Sequence, residues 1–327
     1  MNTVGAVQNI KSFFKKLLAR REASVFLIII FAITIVSIIQ PKFLLWNNMR
    51  AIMIGLSTDG LLAIGMAVVL VLGGIDLSVG SVSALACVIT GGLFLGGVNI
   101  WVAALIAIIA GVGIGLFNGF VIAKVGLPPF IVTLGMMSLA RGTAYIFTEG
   151  SPLSMGGLPS DFKFIGTGSI IGIPTLFVIF IIFAVVADFM MKKSNTFRNV
   201  FYVGSNENAA KLSAINVAKV KVWVYVLSAV LASIAGIMSL ARFNVATPTL
   251  GTSAELRAIT AAVIGGTSMT GGVGSIFGAV LGVILLNVLN SSLVMLNVSV
   301  YWQDFVNGAI LIIAVTIDYL SHRKQAK

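Results

Sequence analysis

The sequence predicts an all-α fold: a polytopic membrane helix bundle of about ten transmembrane helices, with the N- and C-termini both cytoplasmic. Three observations carry that prediction. Of 327 residues, 58% are hydrophobic and only 9% are charged, against about 25% charged in a soluble domain, and the mean hydropathy is +1.09. Two intervals, Leu77 to Ala123 and Ala258 to Gln303, contain no charged residue; each is long enough for two helices of about 20 residues, which argues for helices over barrel strands. The one long polar interval away from the termini, Lys192 to Lys221, carries Lys192, Lys193, Arg198, Lys211, Lys219 and Lys221 against the single acid Glu207. By the positive-inside bias it lies in the cytoplasm. Residues 1–327 then form one transmembrane domain, with 1–22 an interfacial cytoplasmic segment, 192–221 a central cytoplasmic loop and 321–327 a cytoplasmic tail.

Taken in order, the basic stretch before Ala23 reads as an interfacial helix with Phe13, Phe14, Leu17 and Leu18 on its apolar side. Because no small-residue cleavage site follows, the next apolar run is expected to be a retained span. Span 1 runs from Ser24 to Ile39 and stops at Gln40-Pro41; span 2, from Met49 to Leu72, contains Asp59. After a glycine-bounded turn, spans 3 and 4 cover Val82 to Leu95 and Ile100 to Ala123. Pro128 and Pro129 suit the first turn of span 5, which reaches Phe147. Glu149 to Ile170 is an outer loop, span 6 covers Ile171 to Met191, and span 7 covers Val222 to Ala241.

Within the central loop, Ser205 or Asn206 can cap a short helix with Glu207 in its first turn and Ala209, Leu212 and Ile215 roughly on one side. Thr252-x-x-Glu255 has the form of a capping box. The helix after it reaches only Ile264, about 18 Å and too short to cross. Two readings of 252–274 stand: a re-entrant half-helix, or a broken crossing completed by Gly265 to Gly274; the basic tail favours the second. Spans 9 (Ser275 to Leu296) and 10 (Gln303 to Tyr319) follow. The similarity of Leu72 to Ser81 and Ile264 to Ser275 fits an old internal repeat or two independent glycine-rich breaks.

An acid among apolar segments is costly unless it faces protein, water or a helix end. Asp76 either caps span 3 or faces a transport path. Asp59 suits a paired or cavity-facing role, with Arg50 or Arg141 as partner. Ser78, Asn118, Thr267, Ser268 and Asn287 complete the polar candidates for a path, although such residues more often link helices. Gly111, Gly115 and Gly119, and Gly274, Gly278 and Gly282, recur every four residues and read as close-packing stripes. The net charge of +11 gathers at the ends and in the central loop, which points to anionic membrane lipid and not to nucleic acid. With one cysteine, Cys87, no internal disulfide is possible. No catalytic residue is assigned. One histidine, His322, excludes a His-rich metal site, and no nucleophile or acid-base pair supports a scaffold or enzyme reading. No G-x-x-x-x-G-K-[ST] occurs, so energy comes from an ion gradient or another subunit.

GGIDLSVGS at 73–81, VGSNENAAKLSAINV at 203–217, ARFNVATPTLGTSAEL at 241–256, AAVIGGTSMTGGVGS at 261–275 and AILIIAVTID at 309–318 resemble the permease of bacterial ribose-type ATP-binding cassette importers, in order and over nearly the whole chain. The resemblance implies a homodimer in the bacterial inner membrane, a partner ATPase with two fused nucleotide-binding domains that binds the ATP and magnesium, and a periplasmic sugar-binding protein. It implies no cofactor in this chain. It assigns ATPase docking to Gly204, Asn206, Glu207, Ala209, Ala210, Leu212 and Asn216, and reception of the binding protein to outer loops including Ser151-Pro152 and Ala246 to Ser253. Ribose is the leading solute; other pentoses, galactose or a furanone-like signalling sugar are the alternatives. An ion-coupled secondary transporter relying on Asp59 and Asp76 is the competing mechanism.

Overall fold

The computed structural model describes residues 21–325; the expected interfacial segment before Ala23 lies almost wholly outside them. The described chain is a helical bundle, and eight of its helices are long and apolar enough to cross a membrane. Helix α1 (Arg21–Ile39) ends where Pro41 opens a 3-10 turn, and α2 (Trp46–Val71) follows. Helix α3 (Val79–Leu95) is followed by α4 (Ile100–Phe120), which Asn99 caps by accepting from the Trp101 amide and which runs into a π turn over Val121–Val125. Helix α5 (Pro129–Thr148) starts at the expected proline, where an amide has no partner to lose.

The stretch expected as an outer loop holds a helix, α6 (Ser160–Thr167), and strand β1 (Leu153–Ser154). Strands β2 (Ser169–Ile170) and β3 (Ile173–Pro174) form a hairpin, turning through Ile171 and Gly172 at φ of 53° and 83°. The hairpin delays α7 (Thr175–Lys193) past the expected start at Ile171. Helices α8 (Asn195–Ser205) and α9 (Glu207–Leu212) lead to α10 (Val217–Phe243), which starts before the expected Val222 because Asn216 accepts from the Lys219 amide and caps it. Strand β4 (Val245–Ala246), α11 (Ala254–Ile264), α12 (Ile276–Met295) and α13 (Val300–Gln325) complete the order.

Two helices form the centre. In α2 and α10 the most apolar window is 78% buried, against 6% in α13 and 17% in α1. Helix α10 packs on α4, α3 and α2, while α12 joins α11, α2 and α1 on the other side. The first glycine stripe faces α10: Gly111 lies on Ala229 and Ser233, Gly115 on Tyr225 and Val226, Gly119 on Val222. Gly278 and Gly282 of the second seat α12 on Gly265 and Ala261. Both stripes therefore do what small residues do between membrane helices, letting backbones touch. A Cβ at Gly115 would stand 2.5 Å from Val226 Cα and 2.7 Å from the Tyr225 carbonyl oxygen. Since both obstacles are backbone, Gly115→Leu is expected to destabilise the protein by at least about 1–3 kcal/mol through overpacking. Thermal melting in detergent checks it, with Gly113→Leu, at a position with nothing within 4 Å, as the neutral control.

Candidate functional site

Two ends of the bundle are defined by contacts between distant parts of the chain. At one, β1 pairs with β4 through Leu153↔Ala246, and Trp101 Nε1 donates to Asp161 at 2.8 Å. At the other, the Gly272 amide donates to the Val71 carbonyl at 2.8 Å, and Gly204 lies against both groups. The chain from β4 to Gly272 passes from one end to the other through 247–253, α11 and the glycine turn. That path agrees with the broken-crossing reading of 252–274, the one the basic tail favours. The capping box does not form: Thr252 Oγ1 donates to the Thr249 carbonyl, and Ser253, in the left-handed region at φ 58°, precedes α11 without a side-chain cap.

Short helices α3 and α11 begin inside the bundle, side by side. A Cβ on Gly80, in the first turn of α3, would meet the Gly251 carbonyl and lie 2.7 Å from Glu255 Oε2. Segment 247–253 is held in place by Arg141, whose Nη1 donates to the carbonyls of Pro248 and, at 2.6 Å, Leu250. Helices interrupted within a bundle are where transporters bind polar solutes, because their ends expose backbone polar groups away from lipid.

The seven polar candidates fall into three groups. Asp76, Ser78 and Asn118 come together, all buried: Asp76 Oδ1 accepts from the Ser78 amide at 3.0 Å and from its hydroxyl at 2.6 Å, Oδ2 accepts from Ser228 Oγ at 2.8 Å, and Asn118 Nδ2 donates to Ser78 Oγ at 3.4 Å. Asp76 thus links α10 to the turn before α3 and is not the residue at the start of that helix. Asp59 and Asn287 line a small space with Arg257 and Ala261. Asp59 pairs with Arg257 at 3.5 Å. The expected partners are engaged elsewhere, Arg50 with the Thr167 carbonyl and Arg141 with 248–250, so that expectation is corrected. The sequence offered Arg257 as a charge one turn into a short helix, but its spacing from Asp59 is set only by the packing of α11 on α2. Thr267 and Ser268 lie buried in the second glycine turn, where Ser268 Oγ donates to Asp318 at 3.3 Å.

In the central loop, Asn206 and not Ser205 caps the short helix, its Oδ1 accepting from the Ala209 amide at 3.0 Å. Asn216 caps the next. Glu207 is braced at 2.8 Å by Lys211 and at 2.8 Å by Lys221. These lysines, Lys211 first, hold its carboxyl below the usual range. Ala210 is buried, Ala209 is exposed, and Leu212 is 91% exposed. Helix α8, which the sequence reading missed, carries this knob on buried Phe197, Val200 and Val203, with the Phe197 ring edge-on to Trp223 at 5.0 Å. The spacing of those three residues was the available signal.

With that geometry established, similarity to known proteins is extensive. A family model described as the permease component of branched-chain amino acid transport systems matches residues 48–315. The chain is 38% identical over 318 residues to the ribose import permease protein RbsC of Escherichia coli K12, covering 97% of this chain and 98% of that one. It is 39% identical over 293 residues to RbsC of Bacillus subtilis 168, covering 90% and 91%. It is 34% identical over 303 residues to the L-arabinose transport system permease protein AraH of Escherichia coli K12, covering 92% and 91%. No solved structure matches. A family match over most of the chain, with end-to-end identity to two ribose import permeases, places this polytopic membrane protein in the family of importer permease components.

Proposed function

We propose that this chain is the membrane-spanning permease of an ATP-driven importer that carries ribose across the bacterial inner membrane. The observation that carries the reading is 38% identity to a ribose import permease over 97% of this chain. The arabinose relative is a second pentose permease and supports the same solute class. The eight long helices together with α3 and α11 make ten crossings. With α8 and α9 on the cytoplasmic side, an even number of crossings leaves both termini there. The chain works as a transport subunit, without its own catalytic site. Two copies assemble with an ATPase of two fused nucleotide-binding domains, which hydrolyses the ATP, and a periplasmic binding protein delivers sugar at the opposite end.

The docking surface is α9. Leu212 and Ala209 project to the ATPase, Asn206 and Asn216 fix the helix ends around them, Glu207 braces the loop to α10, and Gly204 and Ala210 seat it on the bundle. Movement of the ATPase halves then pushes α8 and α9 against the ends of α2 and the second glycine turn.

The test is ATP-dependent uptake of a labelled sugar panel in vesicles containing the ATPase and binding protein. Glu207→Arg places a third cation beside Lys211 and Lys221. Surface pairs contribute little to folding, so permease stability is expected to change little, while uptake falls by at least about tenfold, equivalent to 1.4 kcal/mol, and the ATPase no longer co-purifies. Unchanged uptake and co-purification would remove Glu207 from the dock. The pH sign follows from the lowered carboxyl: the brace is complete above the ordinary value of 4.5 and is lost as pH falls through the lower folded value. Co-purification is therefore expected to be flat from neutral pH down to about 5.

A further inference from the structure

Between α11 and α13 the bundle holds a cavity of about 150 Å³ lined by Ser253, Arg257, Thr260, Asp304 and Asn307, with Leu256 on its apolar side. At about 30 Å³ per water, that is room for roughly five water-sized molecules, the size class of a pentose and not of a disaccharide. Polar side chains between the helices of a membrane bundle are costly unless they serve a passing solute or one another. Here they only partly serve one another. Arg257 spends Nη1 on the Thr252 carbonyl at 3.2 Å and Nη2 on Asp59, leaving further donors of its planar fork. Thr260 Oγ1 donates to the Leu256 carbonyl at 2.6 Å, so its lone pairs are free to accept. Asn307 Oδ1 is buried without a hydrogen-bond partner.

We propose that this cavity is an intramembrane subsite for a monosaccharide in transit, in which Arg257, Asn307, Thr260, Ser253 and Asp304 exchange hydrogen bonds with its ring hydroxyls. The proposal rests on the reading of the chain as a sugar-importer permease and adds the place where the sugar pauses. A hydroxyl donates and accepts at once, so a polyol is matched by a lining that mixes a guanidinium fork, an amide, a carboxylate and two hydroxyls. A lone anion or cation is not matched by that mixture. No aromatic ring lines the cavity, so binding is weak, as passage requires: a site must release what it admits. The Asp59 and Asn287 space on the other side of Arg257 continues the polar track toward the bundle centre.

The test uses the complete transporter in proteoliposomes with ribose as the probe sugar. Thr260→Val and Asn307→Leu are each expected to reduce uptake at least about tenfold while ATP hydrolysis stimulated by the loaded binding protein stays within about twofold of wild type. That split separates the solute step from coupling. In a Cys87→Ser background, which removes the single, buried cysteine, Asn307→Cys should react with a water-soluble maleimide, and ribose but not sucrose should slow the reaction. Unchanged uptake in both variants, a parallel loss of uptake and stimulated hydrolysis, or labelling indifferent to ribose would each overturn the subsite. A wild-type complex that hydrolyses ATP and moves no sugar of the panel would instead overturn the importer reading, and the subsite with it.

Discussion

Replacing Gly204 by Leu is expected to abolish ATP-driven uptake while the permease still inserts and folds. Gly204 sits at the last turn of α8, where a Cβ would overlap the Val71 carbonyl oxygen and stand 2.8 Å from the Gly272 amide nitrogen. Those two groups are already bonded to each other, so neither can yield without breaking the link between α2 and the second glycine turn. Gly271 lies on the Gly204 carbonyl and on Gly73, which brings both glycine turns and the end of α8 to one point. Overpacking at such a contact costs about 1–3 kcal/mol for a small addition. The seated position of α8 is thereby disfavoured by roughly ten- to hundredfold, and more by a side chain as large as Leu. Gly204→Ala should show a graded loss, and Leu212→Ala, at an exposed position, should weaken ATPase co-purification without altering permease melting. Full uptake by Gly204→Leu would show that force reaches the bundle by a route that bypasses this junction.

The bundle was legible in the sequence wherever an apolar run was long and its ends carried a chemical signal. Pro129 at the start of α5 and the glycine stripe of α4 are examples: a ring that fixes φ, and a face without Cβ atoms, mean the same thing in any surroundings. The short helix α9 was legible for the same reason, because Asn206 and Glu207 are a local cap signal. What failed was long-range pairing. Asp59 was matched to arginines near it in expected depth, and its partner is Arg257, nearly two hundred positions later, brought there by the packing of α11 on α2. The capping box failed because Thr252 Oγ1 donates back to the Thr249 carbonyl and Ser253 stands in the left-handed region, in a segment that Arg141 from α5 ties at Pro248 and Leu250. The polar cavity between α11 and α13 had no sequence signature at all, since its lining comes from two helices separated by a full crossing.

Asp76→Asn is expected to retain uptake within about threefold, whereas Asp76→Ala should lose most of it together with stability, by about 3 kcal/mol or more, the combined cost of leaving three buried donors unmet. The carboxylate makes three hydrogen bonds, and an amide can keep all of them. Its Oδ1 can accept from the Ser78 amide and hydroxyl as now, and its Nδ2 can donate to Ser228 Oγ, which is both donor and acceptor. What Asn cannot do is carry a charge or exchange a proton. The pair of substitutions therefore separates a carboxyl that ties α10 to the turn before α3 from one that couples transport to an ion gradient. The same logic extends to Asp59→Asn, where loss of the charge leaves Arg257 with a neutral acceptor at 3.5 Å. If Asp76→Asn and Asp59→Asn together abolish uptake while melting as wild type, the energy enters through these acids, and an ATP-driven mechanism loses its footing. Retained uptake in that double variant, with loss in Glu207→Arg, would place the energy input at the start of α10, where Lys221 holds Glu207.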